Sequence, residues 1–194
     1  MNRPAQIASN LKQVNENIAK AVKNAGRSID EITLIVVTKT FPLSDLEILY
    51  ELGLREFGEN RDQEAVDKVD KLPKDIRWHF QGGIQSNKLK SIATWASCIH
   101  SVDQLKYAQI ISDQNLAMAK PIFIQLSLDE PPESRGGVDP AKLFDLASSI
   151  EKLPGISLQG LMAVAPLTSP VSDSFERLKA IHDHWLTLTI MLAN

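Results

Sequence analysis

Apolar positions along this chain recur with two alternating periods, one helical and one extended. Over residues 4–25, Ile7, Leu11, Val14, Ile18 and Val22 fall at helical spacing and Gly26 follows as a stop, which predicts an amphipathic helix. The next run, ITLIVVTK (32–39), is β-branched and continuous, as a buried strand requires. Pro42 and Ser44 then open a helical stretch that closes at Gly53, and REFGEN (55–60) reads as a short strand. The same pair of elements keeps returning. RDQEAVDKVDKL (61–72) is helical before the strand IRWHFQG (76–82), and SNKLKSIATWA (86–96) is helical before the strand CIHSV (98–102). DQLKYAQIISDQNLA (103–117) precedes the strand PIFIQLSL (121–128), and PAKLFDLASSIEKL (140–153), stopped by Pro154 and Gly155, precedes LQGLMAV (158–164). A last helix starts near Ser172 and is still running at Asn194.

Six βα units behind a leading helix predict an all-parallel sheet, either doubly wound or a (β/α)₈ barrel. The strands favour the barrel. In the third, Ile76, Trp78 and Phe80 alternate with Arg77, His79 and Gln81; in the fifth, Ile122, Ile124, Leu126 and Leu128 alternate with Phe123, Gln125 and Ser127. A sheet covered by helices on both faces seldom accepts that much polarity, whereas a barrel points its polar set inward. Six units are two short of closing one.

Composition narrows the function classes. The 194 residues are 43% hydrophobic with a net charge of −3, and the 21 basic residues are scattered, so neither nucleic acid nor an anionic membrane is an expected partner. Cys98 is the single cysteine, which leaves no internal disulfide or thiolate metal cage and suits a reducing cytoplasm as a small core residue. His182 and His184 lie two apart on a helix, point in different directions and read as surface residues rather than metal ligands.

Barrel enzymes place their sites at the C-terminal ends of the strands. Lys39, Asn60, His79, the turn Gln81–Gly82–Gly83 and Met162 all fall there. Lys39 shares its phase with Ile35 and Val37, so it is expected to project into the barrel mouth among apolar side chains. Desolvation there would favour the neutral amine, a nucleophile toward aldehydes, and suggests Schiff-base chemistry. A lysine snorkelling from the rim to water occupies the same position equally well.

Five segments, VVTKTFP, GLREFGENRDQEA, RWHFQGGIQSNKLK, IHSVDQLK and LQGLMAV, occur in the order and spacing of one family. The chain resembles the pyridoxal 5′-phosphate homeostasis proteins, the YggS/PROSC family, which are similar to the barrel domain of bacterial alanine racemase (fold type III) standing alone. The resemblance implies a single barrel domain over 1–194 that binds pyridoxal phosphate as a Schiff base on Lys39. It implies Asn60 beside the ring, Met162 lining the pocket and His79 on a neighbouring strand end. Structural alternatives are a cap on the next helix for Asn60, core filling for Met162 and a buried, satisfied imidazole for His79. Asn87 and Lys88 open a helix where phosphate could be held, with capping the expected role of Asn87. The implied function is intracellular vitamin B6 homeostasis: holding the cofactor and passing it to apo-enzymes, without a catalysed reaction.

The chain departs from the family's pattern in places. Gly83 stands where a histidine is usual, Arg135 where many members have a lysine and Ala165 where a proline is common. Arginine keeps the charge of that lysine but cannot form a second Schiff base. Members also continue through two more strands that hold the phosphate. The expectation is therefore of a C-terminally incomplete barrel with unpaired edges, unstable, self-associating or weak in cofactor binding. Rival readings are a pyridoxal-dependent racemase, which needs an acid/base facing Lys39 where only the helical Tyr50 and Tyr107 are available, and a cofactor-independent Schiff-base lyase using His79. A scaffold binding partners through its helices is a third.

Overall fold

The computed structural model of the chain describes residues 2–114, 116–129 and 136–192, with side chains as far as Thr187. In chain order the elements are α1 (Arg3–Asn24), β1 (Val36–Val37), α2 (Leu43–Glu51), β2 (Glu56–Glu59), α3 (Asp62–Lys71), β3 (Arg77–Phe80) and α4 (Leu89–Trp95). There follow β4 (Cys98–Val102), α5 (Leu105–Ser112), β5 (Lys120–Leu126), α6 (Leu143–Ile150), β6 (Ile156–Ala163) and α7 (Val171–Leu192). Two compact units divide the chain, residues 1–79 and 80–194.

In the first unit, α1 begins where the Asn2 side chain accepts a hydrogen bond from the Ala5 N–H, and it ends before Gly26 at φ +65°. Strands β1 and β2 pair in parallel, Val36 opposite Phe57 and Val37 opposite Gly58. The predicted first strand, 32–39, contracts to two residues because β1 has a strand neighbour on one side only, and that neighbour is four residues long. The unit's core collects Leu46, Phe57, Ala65, Ile76 and Trp78, with the Phe57 and Trp78 rings edge to face at 5.7 Å.

In the second unit β4, β5 and β6 follow in chain order and are parallel throughout. Each consecutive pair is joined by a helix, the connectivity of a (β/α) barrel rather than of a doubly wound sheet, which would reverse its strand order. Ile99, Ile111, Ile122, Ile124 and Ile150 are fully buried and form its centre. Two predicted helices open instead as 3₁₀ turns, Ser86–Lys88 and Pro140–Lys142, before α4 and α6, and the helix predicted over 103–117 ends at Ser112. Cys98 is buried, as expected of a core residue.

One glycine controls the end of β5. Gly137 has φ +103°, and a Cβ there would lie 2.6 Å from the Leu126 carbonyl carbon and the Ser127 nitrogen. That close approach lets Val138 bond β5 on both sides, its N–H to Gln125 (2.8 Å) and its carbonyl to the Ser127 N–H (2.9 Å). Gly137→Ala combines strain with a backbone clash and is expected to destabilise this unit by about 2–3 kcal/mol, read as a thermal midpoint lowered by about 4–10 °C.

Candidate functional site

At the end of β1 the burial alternates residue by residue: Val37 is exposed, Thr38 is 1% exposed and Lys39 is exposed again. Lys39 makes no hydrogen bond or ion pair among the described residues. The expectation that apolar neighbours enclose its ammonium is corrected here, because β1 ends at Val37 and Lys39 stands in the turn that follows. The last β1–β2 pair is Val37 with Gly58; beyond it the Thr38 N–H still donates to the Gly58 carbonyl at 2.8 Å and the Thr38 hydroxyl to Glu59, while Lys39 and Asn60 each follow two residues after that last pair. Thr40, just past the lysine, is the one non-glycine among the described residues with positive φ, +65°. A β-branched residue there costs about 1–3 kcal/mol and persists only where its surroundings fix it.

The surroundings come from α3. Glu59 is completely buried, and its Oε1 lies 2.6 Å from the Lys68 ammonium and 2.7 Å from the Thr38 hydroxyl that donates to it. Lys68 Nζ also donates to the Thr38 carbonyl at 2.7 Å. One turn earlier on the same helix, Glu64 Oε2 accepts the Thr40 N–H at 3.2 Å while its Oε1 meets Arg61 at 3.1 Å. The Thr40 N–H, and after it the Arg61 guanidinium, hold the Glu64 carboxyl below the usual carboxylate range. Sequence reasoning missed this set, although a glutamate closing the strand EFGE was a readable signal, because a charge there must find a buried partner.

Asn60 does not cap α3. The N-cap position belongs to Arg61, no side chain caps it, and the Asn60 Oδ1 is buried without a hydrogen-bond partner among the described residues. An acceptor left bare in this way suits a donor brought by a ligand. His79, also in the first unit, is buried with Nε2 2.6 Å from Glu56 Oε2. Arg77 holds the other Glu56 oxygen at 3.2 Å.

Met162 lies in the second unit, half-buried on β6 and level with Gln125. The register slips by one between Ile122–Leu158 and Phe123–Gly160, leaving Gln159 as the extra residue. Without that bulge Met162 would fall on the face of Ile124; with it, Met162 shares the inner, partly polar face of Phe123 and Gln125. His100, another residue the sequence reading passed over, stacks on Phe123 with ring centroids 4.7 Å apart.

The remaining candidates divide. Asn87 caps nothing, contrary to expectation: the cap positions are Gln85 and Lys88, and neither makes a side-chain cap bond. Gly83 is exposed, and a Cβ there would meet nothing within 4 Å. Arg135 lies outside the described residues. His184 is exposed, and His182 packs edge to face on Trp185 at 5.9 Å.

An accessible primary amine with no ion pair, at the same strand end as a buried acceptor that lacks a donor, fits an aldehyde ligand carrying a hydroxyl or N–H group. The family described as "Alanine racemase, N-terminal domain" matches residues 9–188. The pyridoxal phosphate homeostasis protein of Escherichia coli K12 is 38% identical over 176 residues, covering 88% of this chain and 75% of that protein. Among solved structures, PipY of Synechococcus elongatus with pyridoxal phosphate bound is similar at a TM-score of 0.75 and 27% identity, covering 88% of this chain and 82% of PipY. Alanine racemase of Clostridium difficile shares the fold at a TM-score of 0.69 and 13% identity, over 91% of this chain and 47% of the racemase. Among the described residues, no helix is long and apolar enough to cross a membrane. By sequence and by fold, this chain belongs to the family of the pyridoxal phosphate homeostasis proteins, built on the alanine racemase N-terminal barrel.

Proposed function

We propose that this chain binds pyridoxal 5′-phosphate through Lys39 and serves in cytoplasmic vitamin B6 homeostasis, holding the cofactor and releasing it to apo-enzymes without catalysing a reaction. The observation that carries the proposal is the exposed Lys39 amine, without an ion pair among the described residues, in the turn that follows β1, together with the bare Oδ1 of Asn60 just past the end of the neighbouring β2. The names of its relatives and the cofactor bound to PipY support it. When bound, the cofactor would supply an aldehyde carbon electrophilic toward the Lys39 amine.

The chain's own residues then have separable tasks. Lys39 offers the amine and Asn60 accepts a hydrogen bond from the ligand. Glu56 and Arg77 keep the His79 ring oriented rather than mobile.

Racemase chemistry needs a second proton carrier, and the two tyrosines are engaged elsewhere. Tyr107 is buried in the core of the second unit. The Tyr50 hydroxyl lies 3.0 Å from Asp75, and Arg55 stacks on its ring. Asp75 raises the Tyr50 pKa, which makes it a poorer acid still.

The test is transfer. The loaded chain is mixed with the apo form of a pyridoxal-dependent enzyme whose recovered activity is followed, with alanine in deuterated solvent as a parallel sample. Recovered activity matching the cofactor lost from the chain, with no exchange of the alanine α-proton, is the expected result. Exchange catalysed by the chain, with the cofactor retained, would establish the racemase reading instead.

A further inference from the structure

The peptide groups on either side of Lys39 are both held by one helix. Before it, the Thr38 carbonyl accepts from Lys68 Nζ at 2.7 Å; after it, the Thr40 N–H donates to Glu64 Oε2 at 3.2 Å. Glu64 and Lys68 are four residues apart and so lie on one face of α3. Lys68 is fixed from below by the fully buried Glu59, which also takes the Thr38 hydroxyl. The residue between the two ties is Lys39 itself, and Thr40, whose N–H makes the second tie, has a positive φ of 65°, a conformation that an unrestrained threonine leaves.

We infer that Glu64 and Lys68 are positioning residues: α3 grips the Lys39 turn from both sides and thereby fixes the direction in which the amine is presented to an aldehyde. The inference rests on Lys39 being the attachment lysine. Neither side chain needs to touch the ligand. Their contribution is to remove the freedom of the turn before the ligand arrives, which matters because a small misplacement of a reacting group is costly in rate.

Glu64 is partly exposed and can be changed without opening the core. The unaltered chain, Glu64→Ala and Glu64→Gln are each exposed to pyridoxal phosphate, reduced with borohydride at intervals, and digested to follow labelling of the Lys39 peptide. Amide hydrogen exchange at Thr40 is measured alongside, without ligand. Glu64→Ala is expected to slow labelling at Lys39 about tenfold, the effect of losing one hydrogen bond to a charged group. Thr40 exchange should speed up, with the thermal midpoint lowered by only about 3–6 °C. Glu64→Gln keeps an acceptor oxygen for the Thr40 N–H and should restore both readings. The pair Glu59→Gln and Lys68→Met together removes the other tie without stranding a charge, and should slow labelling in the same direction. Labelling of Glu64→Ala at the unaltered rate while its Thr40 amide exchanges faster would overturn the inference, since the tie would then exist without directing the amine. A failure of the underlying assignment looks different: the unaltered chain itself would carry no label at Lys39.

Discussion

Lys39→Ala abolishes covalent capture of pyridoxal phosphate and leaves the fold intact. The side chain is exposed and touches no partner, so its removal is expected to change stability by no more than about 0.5 kcal/mol, as for a surface position. Its amine, in contrast, is the group on which the proposed attachment depends. The visible band formed with the cofactor should vanish, and apparent affinity should fall by about 100-fold or more as the covalent contribution is lost. Lys39→Arg sharpens the result. It keeps the charge and the length, but a guanidinium stays protonated and cannot condense with the aldehyde, so it should behave as the alanine variant does. Recovery of the band in Lys39→Arg would move the attachment to another lysine.

Lys68→Met has the opposite profile, a large loss of stability. Glu59 is 0% exposed, its Oε2 already has no partner, and its Oε1 depends on Lys68 and Thr38. Removing the ammonium strands a buried carboxylate, which costs about 3–5 kcal/mol. Against a total stability of about 5–15 kcal/mol, a loss of that size brings the first unit close to unfolding at ordinary temperature. Urea denaturation followed by far-ultraviolet circular dichroism measures it. Adding Glu59→Gln removes the stranded charge, and most of the loss should be recovered in the double variant. Equal destabilisation in the single and double variants would mean that the packing of the lysine stem, rather than the charge pair, supports the strand end.

The repeating elements were legible because each βα unit carries its own periodicity and its own stop signal; β4 occupies the residues CIHSV as read, and α1 begins one residue before the stretch expected. The first strand was over-read. Ile32, Leu34 and Ile35 are as apolar as Val36 and Val37, but a strand exists only where a neighbour supplies hydrogen bonds, and the length of β2 lies in a different stretch of sequence. Lys39 stands out as a candidate from its place behind a β-branched run. Its exposure does not, because that depends on where the ladder stops. Asn60 is a candidate by its position, and whether it caps a helix or leaves a bare acceptor depends on the fold around it. The face presented by Met162 depends on the bulge at Gln159, which a single inserted residue creates and an alternating pattern conceals. Glu64 and Lys68 read as an ordinary surface pair on a helix, and their hold on the Lys39 turn is a tertiary fact without a local signal.

The most direct test of the central claim is peptide mapping of the unaltered 194-residue chain after exposure to one equivalent of pyridoxal phosphate and borohydride reduction. The account predicts one reduced adduct, on the peptide containing Lys39, formed together with the visible band. Label spread over the other surface lysines in proportion to their exposure, without the band, would contradict it.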